Sequence, residues 1–153
     1  MTFLEHRIPP PLVGALVAAG MWGVSAWGPR LAFPPLLGYG AMSLLVAAGI
    51  AFDLSAVFAF RRSRTTVNPF APQRSSALVT GGVYRITRNP MYVGMALLLL
   101  AWAVHLSALL PWVGIVVFVL YITRFQIQPE ERALAGLFGA PYAAYVARVR
   151  RWL

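Results

Sequence analysis

From Asn89 to Thr123 the chain runs for 35 residues without an Asp, Glu, Lys or Arg, and His105 is the only imidazole in that stretch. A single helix of that length would measure about 52 Å at ~1.5 Å per residue, far more than a hydrocarbon core of ~30 Å. The stretch therefore reads as a hairpin of two membrane helices, over residues 91–106 and 110–124, with its turn near His105–Pro111. This limits the fold class: a backbone in lipid must satisfy its hydrogen bonds within the segment, as a helix does.

Two further apolar runs precede the hairpin, at residues 11–27 and 36–60. A Gly-Pro-Arg turn at 28–30 and the Pro34-Pro35 pair separate them. Hydrophobic residues make up 59% of the chain and charged ones 11%, against about 45–50% and about 25% in soluble domains. The mean hydropathy is +0.70. The expected architecture is all-α, a single polytopic membrane domain over residues 1–153 with about four transmembrane helices. Residues 61–90 and 125–153 form polar segments outside the bilayer. The last of these is amphipathic: Leu134, Leu137, Phe138, Tyr142, Tyr145, Val146 and Val149 approximate one stripe, broken by Gly139 and Pro141.

The charges orient the chain. All thirteen basic residues are Arg, and the net charge is +9. With four spans, every Arg except Arg30 falls on one side, which the positive-inside rule makes cytoplasmic together with both termini. A bacterial inner membrane is the expected location. Arginines in short segments between apolar runs point to anionic membrane lipid as a partner, not to nucleic acid. No cleavable signal peptide is evident. The lack of cysteine excludes disulfides and thiolate chemistry. No metal site is expected, because His6 and His105 lie on opposite sides of the membrane.

Two polar clusters carry candidate chemistry. The first runs from Leu78 to Gly94 and contains Gly81-Gly82, Tyr84, Arg85, Arg88, Asn89, Pro90, Met91 and Tyr92. Pro90 suits the first turn of a helix, with Asn89 as its N-cap. The amides of that helix start are suited to a carboxylate. The second cluster is Glu130-Glu131, followed by Tyr142, Tyr145 and Arg148. The hairpin returns the chain to the side it left, so the two clusters must be neighbours. Plainer roles stand beside these. Arg85 and Arg88 alone would be orientation determinants at lipid phosphate, Tyr142 and Tyr145 interfacial belt residues, and Glu131 an Arg partner. Asp53, the one acid inside a span, is expected to pair with an Arg of the 61–88 connector.

The pattern Gly-Val-Tyr-Arg-x-x-Arg-Asn-Pro-Met-Tyr-x-Gly, then Glu-Glu, then Phe-Gly-x-x-Tyr-x-x-Tyr-x-x-Arg-Val, resembles the isoprenylcysteine carboxyl methyltransferases. These belong with the phospholipid methyltransferases, membrane enzymes that use S-adenosylmethionine. The resemblance covers about Leu78 to Arg150. It implies cofactor contacts at Ser76, Ala77, Leu78, Val79, Tyr84, Asn89, Pro90, Met91, Tyr92 and Glu130. It implies substrate or supporting roles for Arg85, Arg88 and Glu131, and an apolar or lipid-linked methyl acceptor: a prenylcysteine-like carboxylate, a thiol or a phospholipid amine. Two positions depart from the pattern. Asn89 stands where the family often has His. Gln126 stands where the prenylcysteine enzymes have an Arg proposed to meet the substrate carboxylate, which leaves Arg124, with Arg148, as the candidates for that role. Sterol-type reductases using NADPH share a related Pro-x-Tyr-x-Gly, but there Glu commonly follows the Gly, and here Met95 does. A small non-enzymatic membrane scaffold is the other alternative.

Overall fold

The computed structural model describes residue 5 and residues 7–62 and 78–153. Ser76 and Ala77 of the expected cofactor segment lie outside these residues. The described chain is all-α, with no β-strand. Its helices are α1 (Pro10–Val24), α2 (Pro35–Arg62), α3 (Pro90–Leu106), α4 (Trp112–Ile122), α5 (Gln128–Phe138) and α6 (Ala140–Val146), with a 3₁₀ turn at Gly82–Arg85 and a π turn at Thr123–Ile127. Helices α1 to α4 occupy the four apolar runs of the sequence. The largest difference is that the fourth does not stop at 124, because the π turn carries α4 without a break into α5, giving one helix from Trp112 to Phe138.

Two helices, Pro35–Arg62 and Trp112–Phe138, are long and apolar enough to cross a membrane, and α1 and α3 are shorter apolar helices. Burial shows what covers them. Only 11% of the most apolar part of α2 is buried inside the protein, and Leu36, Leu44, Leu54 and Phe58 all stand exposed. So do Val113, Val116, Val117 and Leu120 of α4. An unbroken apolar face of this size has lipid as its solvent, and the chain is an integral membrane protein.

Packing inside the bundle rests on close approach. A Cβ on Gly94 of α3 would overlap the Asp53 carboxylate and stand 2.8 Å from the Gly49 carbonyl of α2. A Cβ on Gly114 of α4 would overlap Met21 of α1. Small residues thus let backbones meet where there is no water to drive helices together. Val13, Met21, Tyr92, Leu99, Phe118, Ile122 and Ile127 fill the space between α1, α3 and α4, and Trp102 Nε1 donates to Ala18 O at 3.0 Å.

The two ends of the bundle are closed differently. At one end the α1–α2 link pairs with the hairpin turn: Leu31 N donates to Ser107 O and Leu109 N to Pro29 O, at 2.9 and 3.0 Å. Exposed His105 stacks on Trp102 there, at 5.1 Å between ring centroids. The other end gathers the arginines and is the end with the candidate chemistry.

Candidate active site

α3 starts at Pro90, as the sequence indicates. Asn89 occupies the N-cap position, but its side chain makes no cap hydrogen bond. Its Nδ2 donates instead to Arg151 O at 2.8 Å. The reason is the course of the C-terminus, which returns past α6 and lies along residues 87–89. Arg88 N donates to Arg150 O at 3.0 Å, and Thr87, fully buried, donates from Oγ1 to Arg151 O at 3.2 Å. Asn89 therefore fastens the tail. The first-turn amides of α3 keep the orientation of an anion site, with no side chain of the N-cap residue on them.

The hairpin joins the two polar clusters. Tyr92, in the first turn of α3, donates its hydroxyl to Glu130 Oε1 at 2.6 Å. One residue on, Glu131 takes Arg88 Nη2 at 3.2 Å and Arg151 Nη2 at 2.7 Å, which is the Arg-partner role expected of it. The two acids thus divide: Glu131 is neutralised by cations, whereas the hydrogen bond made by Glu130 comes from an uncharged phenol. Glu130 lies beyond the apolar part of its helix. Burial pushes its carboxyl up to about 7, the Tyr92 hydrogen bond opposes that rise, and the Glu131 charge adds to it. Such an acid favours a cation brought to it.

Around this pair the remaining residues form a wall. Val79 and Tyr84 pack with Ala56 against Phe60 and Met91. The Tyr84 ring meets Phe60 edge-on at 5.5 Å, and Tyr145 donates its hydroxyl to Tyr84 O at 2.8 Å. Burial raises the Tyr84 phenol, helped by Tyr145 and Glu130, so it stays protonated. Tyr142 and Tyr145 are both buried. They are structural posts for the 3₁₀ turn and the tail, in place of the interfacial belt expected from their spacing. Arg88 is mostly buried on its side chain, and its Nε has no hydrogen-bond partner among the described residues. Val79, Tyr84, Met91, Tyr92 and Glu130 are therefore brought together, with Arg88 and Glu131 behind them.

Other candidates lie elsewhere. Arg85 is exposed. Arg124 is exposed and donates to Glu5 Oε1 at 3.3 Å, and Arg132 takes the other oxygen of the same carboxylate at 2.7 Å. Arg148 Nε donates to Ala144 O, one turn back on its own segment. Asp53 packs against Gly94, and its Oδ1 is buried with no hydrogen-bond partner among the described residues. The connector arginine expected beside it is not seen there, and Arg64 and Arg74 lie outside the described residues. Sequence reasoning did not single out Thr87 or Arg151. Their only sequence signal was proximity to the motif or to the C-terminus.

The site joins a half-buried acid, an arginine whose Nε has no partner among the described residues and a helix N-terminus, within a wall of aromatic and aliphatic side chains. That set suits a zwitterion carrying a flat apolar group. Residues 38–141 match the profile of the phospholipid methyltransferase family. A probable protein-S-isoprenylcysteine O-methyltransferase of Oryza sativa subsp. indica is 34% identical over 132 residues, covering 80% of this chain and 66% of that protein. Protein-S-isoprenylcysteine O-methyltransferase B of Arabidopsis thaliana is 31% identical over 110 residues, 69% of this chain and 53% of that protein. An uncharacterized protein of Haemophilus influenzae is 46% identical over 63 residues, 41% of this chain and 100% of that protein. The chain thus spans just under two thirds of the rice relative and about half of the Arabidopsis one. No solved structure matches it. The family match covers more than half of the chain and includes the first polar cluster and Glu130-Glu131 of the second, and the chain belongs to the phospholipid methyltransferase family.

Proposed function

We propose that this protein is an S-adenosylmethionine-dependent methyltransferase acting on an apolar or lipid-linked acceptor. It crosses the bilayer four times, through α1, α2, α3 and the apolar part of the continuous Trp112–Phe138 helix, with the site and both termini on the cytoplasmic side. The observation that carries the reading is the Tyr92–Glu130 hydrogen bond, 2.6 Å long, at a desolvated acid beside the start of α3.

The residues present fit the cofactor. Glu130 is a half-buried carboxylate suited to an ammonium or to ribose hydroxyls. Arg88 Nε, buried and unpartnered among the described residues, and the first-turn amides of α3 suit a carboxylate. Tyr84, Val79 and Met91 offer an apolar wall for a purine. When bound, S-adenosylmethionine supplies an electrophilic methyl on a sulfonium, which an acceptor lone pair takes while the carbon–sulfur pair returns to sulfur. The protein's share of the work is alignment and exclusion of water. Tyr92 fixes the Glu130 rotamer, and Glu131 fixes Arg88 and, through Arg151, the tail that closes over residues 87–89. A lipid-borne acceptor enters sideways from the bilayer between helices.

Titration calorimetry on the full chain in detergent tests this. S-Adenosylhomocysteine should bind saturably and Glu130→Ala should abolish the heat, with NADPH giving none. Binding of NADPH without S-adenosylhomocysteine would overturn the proposal.

A further inference from the structure

The end of the bundle far from Glu130 holds a groove that the site does not use. It lies between the start of α2 and the end of α3, with Phe33, Tyr39 and Met42 on one side and Val104, His105 and Ser107 on the other. Its volume of about 260 Å³ is below the ~300–1,000 Å³ usual for small-molecule sites, so it takes a strip of a molecule and not a whole one. The lining is mostly apolar and turns polar at His105 and Ser107. Ser107, the C-cap of α3, has φ 48° and is the only described non-glycine residue with a positive φ. Backbone held in that region gathers at functional sites.

A cation stands beside the groove. Arg30 Nη1 donates to Leu106 O at 3.4 Å, the carbonyl between His105 and Ser107, and the Arg30 backbone bridges to Ala108. That bond leaves most of the guanidinium donors for another acceptor. No acid of the chain answers them. The four acids are Glu5, Asp53, Glu130 and Glu131. Glu5, Glu130 and Glu131 belong to the opposite end, where they meet Arg124, Tyr92 and Arg88. Asp53 is about 27 Å along α2 from Pro35, at ~1.5 Å per residue.

Short helices bring this cation within reach of lipid. α1 and α3 have 15 and 17 residues, about 22 and 25 Å, against a hydrocarbon core of ~30 Å. A bilayer thins to meet such ends. Trp22, Trp27 and Tyr39 stand exposed at the same end, and aromatic side chains of this kind sit at headgroup depth.

We propose that this groove holds one anionic phospholipid of the leaflet far from the Tyr92–Glu130 pair. Its phosphate meets Arg30, and the first part of an acyl chain lies between Phe33, Met42 and Val104. The headgroup preference follows from charge. A zwitterionic head also brings an ammonium, for which this end of the bundle offers no acid, whereas phosphatidylglycerol brings the phosphate alone. The lipid is a resident and not a methyl acceptor, because Val104 is about 18 Å along α3 from Tyr92. The inference therefore stands apart from the methyltransferase reading.

Native mass spectrometry of the full chain, released from detergent after titration with dioleoyl phosphatidylglycerol or dioleoyl phosphatidylethanolamine, tests this. One phosphatidylglycerol should bind about 10-fold more tightly than the ethanolamine lipid. Arg30→Gln should abolish that preference, and Arg30→Lys should keep most of it. Gly38 also lines the groove, and a Cβ there meets only Phe33 Cβ, at 3.4 Å, an ordinary contact. Gly38→Leu should fill the groove and weaken phosphatidylglycerol about 10-fold without touching Arg30, which guards against a folding artefact. Glycerol 1-phosphate, which has the charge and no chain, should not compete. Equal binding of the two lipids by the wild type, or a preference that survives both Arg30→Gln and Gly38→Leu, would overturn the inference. So would a stable dimer that takes up neither lipid.

Discussion

Tyr92 and Glu130, 38 residues apart in sequence, meet at 2.6 Å where α3 leaves the polar end of the bundle and the α4–α5 helix returns to it. Their hydrogen bond is the point at which the hairpin becomes a site. Tyr92→Phe keeps the ring and removes the donor, which frees the Glu130 carboxylate to rotate. Cofactor affinity should fall about 5- to 30-fold, corresponding to ~1–2 kcal/mol for a hydrogen bond to an acid. Glu130→Gln should cost more, because it also removes the charge. Calorimetry with S-adenosylhomocysteine measures both.

pH should act on the same acid in two opposite ways. The folded pKa of Glu130 is raised to about 7 from 4.5, so the folded state holds this proton more tightly than the unfolded chain. Its contribution to stability is present below about 4.5 and is lost as pH rises through 7. Cofactor binding follows the reverse sign, because the cation needs the ionised acid. Thermal denaturation of the apoprotein should show Glu130→Gln gaining on the wild type between pH 5 and 8. S-Adenosylhomocysteine affinity of the wild type should rise over the same interval, and the variant should show little of that rise.

Glu131 should be structural. It holds Arg88 and Arg151 together at 3.2 and 2.7 Å, and its hydrogen bond to Arg151 raises that guanidinium further. Glu131→Ala leaves the mostly buried Arg88 unpaired, at a cost of about 1–3 kcal/mol after allowing for the partial exposure of Arg151. Hydrogen exchange should quicken at Arg88, whose amide bonds to the tail, with little change in α2.

Gly94 and Gly139 should resist substitution for different reasons. At Gly94 a methyl overlaps the Asp53 carboxylate and crowds Gly49 O. Gly94→Ala should push α2 and α3 apart and destabilise by about 1–3 kcal/mol. Gly139 lies between α5 and α6 with φ +53° and ψ −125°, a conformation essentially reserved for glycine. Gly139→Ala should cost about 1–3 kcal/mol. Nothing lies within 4 Å of its would-be Cβ, so the strain there is purely of the backbone. Detergent-resistant thermal stability reads both.

Much of this was legible in the sequence. A 35-residue uncharged run has one economical solution in lipid, and the neighbourhood of the two polar clusters follows from it by topology. Pro90 marked the start of α3 because its ring fixes the backbone whatever it packs against. Asn89 marked the same point, yet its side chain went elsewhere, since a cap competes with every other acceptor that folding brings near. Here that acceptor was Arg151 O, 62 residues away. The capture of Arg124 and Arg132 by Glu5 is equally remote in sequence. The π turn left no trace, because one residue of extra winding scarcely alters a side-chain pattern at the junction of an apolar and an amphipathic helix. Gln126 drew attention as a departure from a pattern, but its burial, and the oxygen it leaves unpaired among the described residues, appear only once the turn around it is built.

The most direct test of the central claim is a structure of the full chain, grown from lipid, with S-adenosylhomocysteine bound. Nucleoside density is expected between Tyr84, Asn89 and Glu130, with the amino-acid end toward Glu130 and Arg88. Nucleoside density at the opposite end of the bundle, in the groove between Phe33, Tyr39 and His105, would contradict it.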